Sequence, residues 1–204
     1  MKTLLVLVLS CFMASSVFAV IDPDPDMLGI YFDMDAENNC MFVEANTPFF
    51  AFLILTNSTA PAINAYEFSF YNCVCTGLEN NLFMMASNIA HGADVGGIDV
   101  GEHTAIEGAY IVGLAEAIPT TEATILHSWQ YMLLAVLPVQ MFIGPSPMPS
   151  LPGGLPVVQN AVGSILMTVG TSTGGPDFPV ATLNTDCIVA IENVSWGDVK
   201  ALYR

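Results

Sequence analysis

The stretch FFAFLILTNSTAPAINAYEFSFY, residues 49–71, constrains this chain more than any other. Residues 49–55 are all apolar, with Pro48 behind them and the turn formers Thr56, Asn57, Ser58, Thr59 and Pro61 ahead. An apolar run that short, stopped by turn residues, fits a strand covered on both faces better than a helix. The next segment alternates. Tyr66, Phe68 and Phe70 point one way, and Ala65, Glu67 and Ser69 the other. That is the period of a strand with one buried and one solvated face. The two segments read as a central hairpin. Its three aromatics anchor a core, each fully buried phenylalanine contributing about 1.5–3 kcal/mol before ordering entropy is set against it.

Short segments of the same kind recur along the chain, at residues 28–33, 40–45, 82–89, 110–114, 123–137, 139–143, 155–159, 164–169, 180–183 and 188–191. Gly, Pro and Asn turns separate them, and 155–159 with 164–169 reads as a hairpin. There is no internal repeat. Many short strands with almost no helix predict an all-β chain, a single antiparallel Ig-like β-sandwich. One short helix is expected at the C-terminus. Ser195 and Asp198 have capping-box spacing, Trp196, Val199, Leu202 and Tyr203 share one face, and Lys200 and Arg204 sit at the negative end of the dipole. Ten residues are too few for a stable helix alone. Trp196, Lys200, Leu202, Tyr203 and Arg204 are therefore expected to dock, either on the chain's own domain or as a docking or sorting tail.

The expected organisation is a signal peptide at 1–19, an extended acidic leader at 20–27, a sandwich domain at 28–192 and the amphipathic tail at 193–204. Lys2, the apolar run from Leu4 and the small-x-small site at Val17-Phe18-Ala19 carry the export reading, and Val8-Leu9-Ser10-Cys11 offers a lipoprotein alternative. The chain is thus placed as secreted, periplasmic or cell-surface. The formal net charge is −16, and Lys2 is one of only three basic residues, so removing the leader makes the chain more acidic still. That charge argues against nucleic acid and anionic membrane surfaces as partners. With 53% hydrophobic and 11% charged residues, the chain is core-rich under a thin acidic skin, unlike a disordered acidic tail. After the leader no apolar run reaches the roughly 18 residues that a membrane helix needs. Residues 131–143 come nearest and are interrupted by Pro138 and Gln140.

Beyond the leader stand Cys40, Cys73, Cys75 and Cys187. An even number in an exported chain suggests two disulfides, with three connectivities open. Cys73 and Cys75 leave a strand on the same face, so a bond between them would be strained unless the backbone bends. Unpaired with each other, one reaches Cys40 and the other Cys187; paired, they leave Cys40 to Cys187. A redox pair would want a neighbouring cation or helix N-terminus, and a zinc site a second closely spaced pair.

Asp33, Asp35, Glu37 and Glu44 fall at positions 1, 3, 5 and 12 of an EF-hand calcium template. Both flanks read as strands where that template needs helices. The cluster therefore reads as an acidic hairpin turn or, more loosely, as a calcium site on Asp33, Asp35 and Glu37. The Gly-rich loop at 91–108 carries His91, Asp94, Asp99, Glu102, His103 and Glu107, a pool for acid–base chemistry that matches no motif. His127 lies in an apolar run, as a satisfied core or edge histidine does. Asn57 and Asn193 begin glycan-acceptor triplets.

The order of an apolar strand, a polar turn and the alternating AYEFSFY resembles secreted cohesin-like and carbohydrate-binding β-sandwich modules. The ending SWGDVKALYR is similar to the ends of uncharacterised exported bacterial proteins. The resemblance implies a non-catalytic protein for binding, adhesion or extracellular assembly, with a glycan or another surface protein as partner. A glycan would need exposed aromatics, drawn from Tyr66, Tyr71, Trp129 and Tyr131. The alternative is a secreted glycosidase-like hydrolase whose carboxylates come from Asp94, Asp99, Glu102 and Glu107.

Overall fold

The structure is a computed structural model that describes residues 22–90 and 95–185. These residues form β1 (Met27–Tyr31), β2 (Cys40–Met41), β3 (Pro48–Thr56), β4 (Ala62–Val74), β5 (Leu82–Ile89), β6 (Gly97–Asp99), β7 (Glu107–Pro119), β8 (Ala123–Leu133), β9 (Val139–Gly144), β10 (Val157–Asn160), β11 (Ile165–Thr168), β12 (Gly170–Thr171) and β13 (Ala181–Leu183). The helical content among them is one 3-10 turn, Glu79–Asn81. The smaller sheet has the order β12-β1-β3-β8-β5. The larger runs β11-β10-β4-β9-β13-β2, with β7 on the far side of β4 and β6 beyond β7. The all-β sandwich expected from the strand spacing is the observed architecture. Most pairings are antiparallel; β1–β12 and β13–β2 are two-residue parallel pairings at sheet margins. The expected C-terminal helix, the strand at 188–191 and the signal peptide lie outside the described residues.

The central hairpin is corrected. β3 pairs with β1 and β8 in the smaller sheet, and β4 pairs with β7, β9 and β10 in the larger. The turn at 57–61 is thus an arch from one sheet to the other. Burial explains the choice. Leu53, Leu55, Phe68 and Phe70 must cover each other across the interior, which adjacent strands of one sheet, with these side chains abreast on one face, would not do. β3 is covered on its other face as well. Phe52 and Ile54 form a second small core with Tyr31 and Ala36, the latter carried by the loop after β1 in a left-handed conformation, φ 58°. The acidic leader is clipped to the arch. Asp26 accepts hydrogen bonds from the amide (2.7 Å) and hydroxyl (2.6 Å) of Thr59, and the Asn57 side chain donates to the Asp22 carbonyl (2.6 Å). The strand expected over 40–45 pairs only at Cys40–Met41. The hairpin of β10 and β11 forms as expected.

Between the sheets lies an aromatic stack around Trp129. Phe68 meets Tyr110 at 5.2 Å between ring centres and Trp129 edge-on at 6.2 Å. Truncating Phe68 would lose both partners in a dense interior. Phe68→Ala is expected to cost about 3–5 kcal/mol of unfolding free energy, read by denaturant melts.

A polar chain crosses this interior. Trp129 Nε1 donates to the Tyr110 hydroxyl at 2.7 Å, which lies 2.9 Å from Ser87 Oγ. Ser87 Oγ lies 2.8 Å from His127 Nε2, and His127 Nδ1 lies 2.8 Å from the Tyr66 hydroxyl. A neutral imidazole satisfies both contacts with one N–H and one lone pair. Residues of β5 and β8 in one sheet are thereby joined to β4 and β7 in the other. Burial, with a smaller push from His103, lowers the His127 pKa from 6.5 to about 3. The unfolded chain takes up that proton near pH 6.5 and the folded chain does not, so stability present above pH 6.5 is lost as pH falls toward 3. His127→Gln keeps a hydrogen-bonding side chain that does not titrate. Its stability deficit relative to wild type should shrink by a few kcal/mol between pH 7 and pH 4, measured by urea melts at each pH.

Candidate binding face on the outer side of the larger sheet

Alternation along β4 sends Glu67, Ser69, Tyr71 and Cys73 outward from the larger sheet. The neighbouring strands add Ile111 and Gly113 from β7, Ile98 from β6, Val157 and Gln159 from β10 and Leu166 from β11. Two hollows result. One, about 520 Å³, is lined by Glu67, Ile98, Val100, Ile111, Val157, Gln159 and Leu166 together with Ser150. The other, about 950 Å³, is lined by Ser69, Tyr71, Val100, Glu102, His103, Glu107, Pro147 and Met148. Residues 145–155 pass over the face and line both. Pro145, Pro147, Pro149 and Pro152 suit a segment that must not pair as a strand, because proline offers no amide donor and fixes φ.

Glu67 holds this strap. One carboxylate oxygen accepts the Ser150 amide at 2.5 Å and the other the Ser150 hydroxyl at 2.9 Å. The alternation put Glu67 on the wet face, and it does point outward, but the strap leaves it only 7% exposed. Removing the carboxylate takes away both charge-assisted hydrogen bonds that hold Ser150. Glu67→Ala should cost about 1–3 kcal/mol and speed limited proteolysis within 145–155 several-fold, with cleavage sites read by mass spectrometry.

The loop after β6 is built by Asp99. Its Oδ1 accepts the amides of Gly101 (2.9 Å) and Ile111 (3.1 Å), and its Oδ2 lies 3.1 Å from His103 Nε2. The His103 ring stacks on Tyr110 with centres 4.2 Å apart. Two glycines serve close approach here. A Cβ on Gly101 would overlap the Ala109 carbonyl, and one on Gly108 the His103 backbone. Asp99 is thus tied into its own loop, and Glu102 and Glu107 border the larger hollow. His91 and Asp94 lie outside the described residues. Among the described residues, no three or more His, Cys, Asp or Glu side chains stand where they could hold a metal ion.

The acidic turn before β2 closes on itself. Asp33 Oδ1 accepts the Glu37 amide at 2.9 Å, and Oδ2 accepts from the Asn38 side chain. The left-handed residue of this turn is Ala36. Asp35 and Glu37 open onto a hollow shared with Thr121 and Glu122. Of the four aromatics considered for a glycan, Trp129, Tyr131 and Tyr66 are buried and Tyr71 is exposed. Cys73 and Cys75 are free thiols with Sγ atoms 3.6 Å apart. Cys187 and the tail residues Trp196, Lys200, Leu202, Tyr203 and Arg204 lie outside the described residues.

No family model and no curated protein sequence matches the chain. Solved structures match its fold. It is similar to the sixth cohesin of scaffoldin B from Acetivibrio cellulolyticus, solved in complex with a mutant dockerin. The TM-score is 0.51 and the identity 9%, over 80% of this chain and 100% of that one. It is similar as well to a type II cohesin domain from the cellulosome of the same organism, with a TM-score of 0.53 and 11% identity over 81% and 98% of the two chains. The fold is therefore that of a cohesin-like sandwich, as the order of strands around AYEFSFY implied. Sequence reasoning missed the strap over β4. The signal was the cluster of four prolines, but its anchor lies 83 residues away at Glu67.

Proposed function

We propose that this chain is a non-catalytic, exported interaction module whose outer face on the larger sheet seats a partner protein. One observation carries the reading. Ile98, Val100 and Met148 stand 71%, 68% and 78% exposed along the two hollows, with Glu102 and Glu107 beside them. Exposed apolar side chains gathered on one face with charge at the margin mark a protein contact. Of the carboxylates considered for hydrolysis, Asp99 is tied into its own loop, while Glu102 and Glu107 border the larger hollow. The cohesin of scaffoldin B, with the same fold, was solved bound to a dockerin, which supports a protein as the ligand class here. The buried aromatics favour a scaffold over a glycan platform.

Export through residues 1–19 belongs to the same reading, as does a Cys40–Cys187 disulfide. β2 lies beside β13, with Cys40 opposite Thr182, five positions before Cys187 in sequence. Trp196, Lys200, Leu202, Tyr203 and Arg204 form a second attachment point in this account, cationic where the domain is acidic. Affinity capture from the source's extracellular fraction tests the binding face. The wild-type chain should retain a specific protein that Ile98→Asp with Leu166→Asp fails to retain at unchanged melting temperature, whereas Phe83→Asp on the opposite sheet retains it. Equal retention by all three, or hydrolytic activity abolished by Glu102→Gln or Glu107→Gln, would overturn the reading.

A further inference from the structure

Residues directly opposite each other across a sheet share a face. One such row on the outside of the larger sheet has not entered the binding face. Glu107 of β7, Tyr71 of β4 and Phe142 of β9 stand abreast. The Tyr71 and Phe142 rings lie 6.2 Å apart between centres, and Tyr71 is 43% exposed. The next outward pair, Ser69 and Gly144, is small. The two rings therefore wall a hollow of about 400 Å³, which Pro176 and Asp177 also line. Glu79 and Glu107 act electrostatically on Tyr71. The patch is aromatic with an acidic margin. The complementary pattern stands in the same chain, at residues 193–204, outside the described residues. Trp196, Val199, Leu202 and Tyr203 share one face at helical spacing, and Lys200 and Arg204 fall along one edge of that stripe.

We propose that residues 193–204 seat on the Tyr71–Phe142 hollow of their own chain, the apolar stripe on the rings and Lys200 and Arg204 toward Glu79, Glu107 and Asp177. This rests on the reading of the tail as an attachment point and names what it attaches to. The path is short. Cys73 is opposite Gln140, Gln140 opposite Thr182, and Thr182 opposite Cys40. Cys40 thus leaves the same outer face, and a bond to Cys187 would start the tail there. Cys40 stands two strand spacings and two residues from Phe142, about 12 Å within the sheet. Trp196 follows Cys187 by nine residues, a reach of up to about 30 Å. A tether that short holds the tail at millimolar effective concentration, which favours its own domain over a second copy. Docking also supplies the packing that so short a helix lacks alone.

Carbodiimide cross-linking of the full chain reads the seat directly, because Lys200 is the only lysine after Lys2. Peptide mapping of the monomer should find Lys200 joined to Glu79, Glu107 or Asp177, in a yield that dilution does not change. The chain has two tryptophans and Trp129 is buried, so acrylamide quenching reports on Trp196. Lys200→Glu with Arg204→Glu leaves the sandwich untouched and should raise quenching about twofold or more. Adding Glu107→Lys with Asp177→Lys should restore the shielding. Lys200 joined to other carboxylates of the chain, or left unlinked, overturns the seat, as does quenching that the charge variant leaves unchanged. Links found only between copies overturn the seat too, while sparing the tail as an attachment point. Peptide mapping without reductant reads the Cys40–Cys187 bond separately. None of these outcomes bears on partner capture by Ile98 and Leu166.

Discussion

Alternation along β4 is the constraint on which the rest of the structure depends. Its thirteen residues form the central strand of the larger sheet, with β7 on one side and β10 then β9 on the other. Tyr66, Phe68 and Phe70 face inward and supply the aromatic interior. Glu67, Ser69, Tyr71 and Cys73 face outward and supply the strap anchor, the floor of the hollows and the thiol pair. A one-residue slip in register would exchange the two sets, expose three aromatics and bury a carboxylate. Core and surface chemistry are therefore fixed together.

The two sheets carry charge differently. β1, β3, β5, β8 and β12 contain no Asp, Glu, Lys or Arg, whereas β4, β6 and β7 contain Glu67, Asp99, Glu107 and Glu116. Among the described residues the other acidic side chains lie outside the strands, so the smaller sheet carries none of the negative charge. The buried polar chain from Trp129 through Tyr110, Ser87 and His127 to Tyr66 links this uncharged layer to the charged one. It also makes the sandwich depend on a neutral imidazole, which gives the fold a built-in acid limit.

Local patterns were legible in the sequence and long-range pairings were not. The period of two in AYEFSFY identified β4 and its faces, and Leu82–Ile89 was readable to the residue, because strand propensity and turn residues act over short spans. The arch between β3 and β4 was misread as a hairpin because a turn-rich linker looks the same in either case, and the choice rests on which faces must meet across the interior. Asp33 was legible as a turn residue. Its use as the turn's own hydrogen-bond acceptor follows from the left-handed Ala36, which composition does not signal. Glu67 read as solvated because its partner, Ser150, is brought over it only by the fold. Asp99 and His103 were read only as members of a pool for acid–base chemistry, and the structure uses both to shape a loop.

Hydrogen exchange of the full chain with and without its captured partner protein tests the central claim most directly. Binding on the outer face of the larger sheet predicts slowed exchange at residues 97–101, 111–114 and 145–155, with β5 and β3 unchanged. Slowing confined to β5 and β3, or none at all in a demonstrated complex, would contradict it.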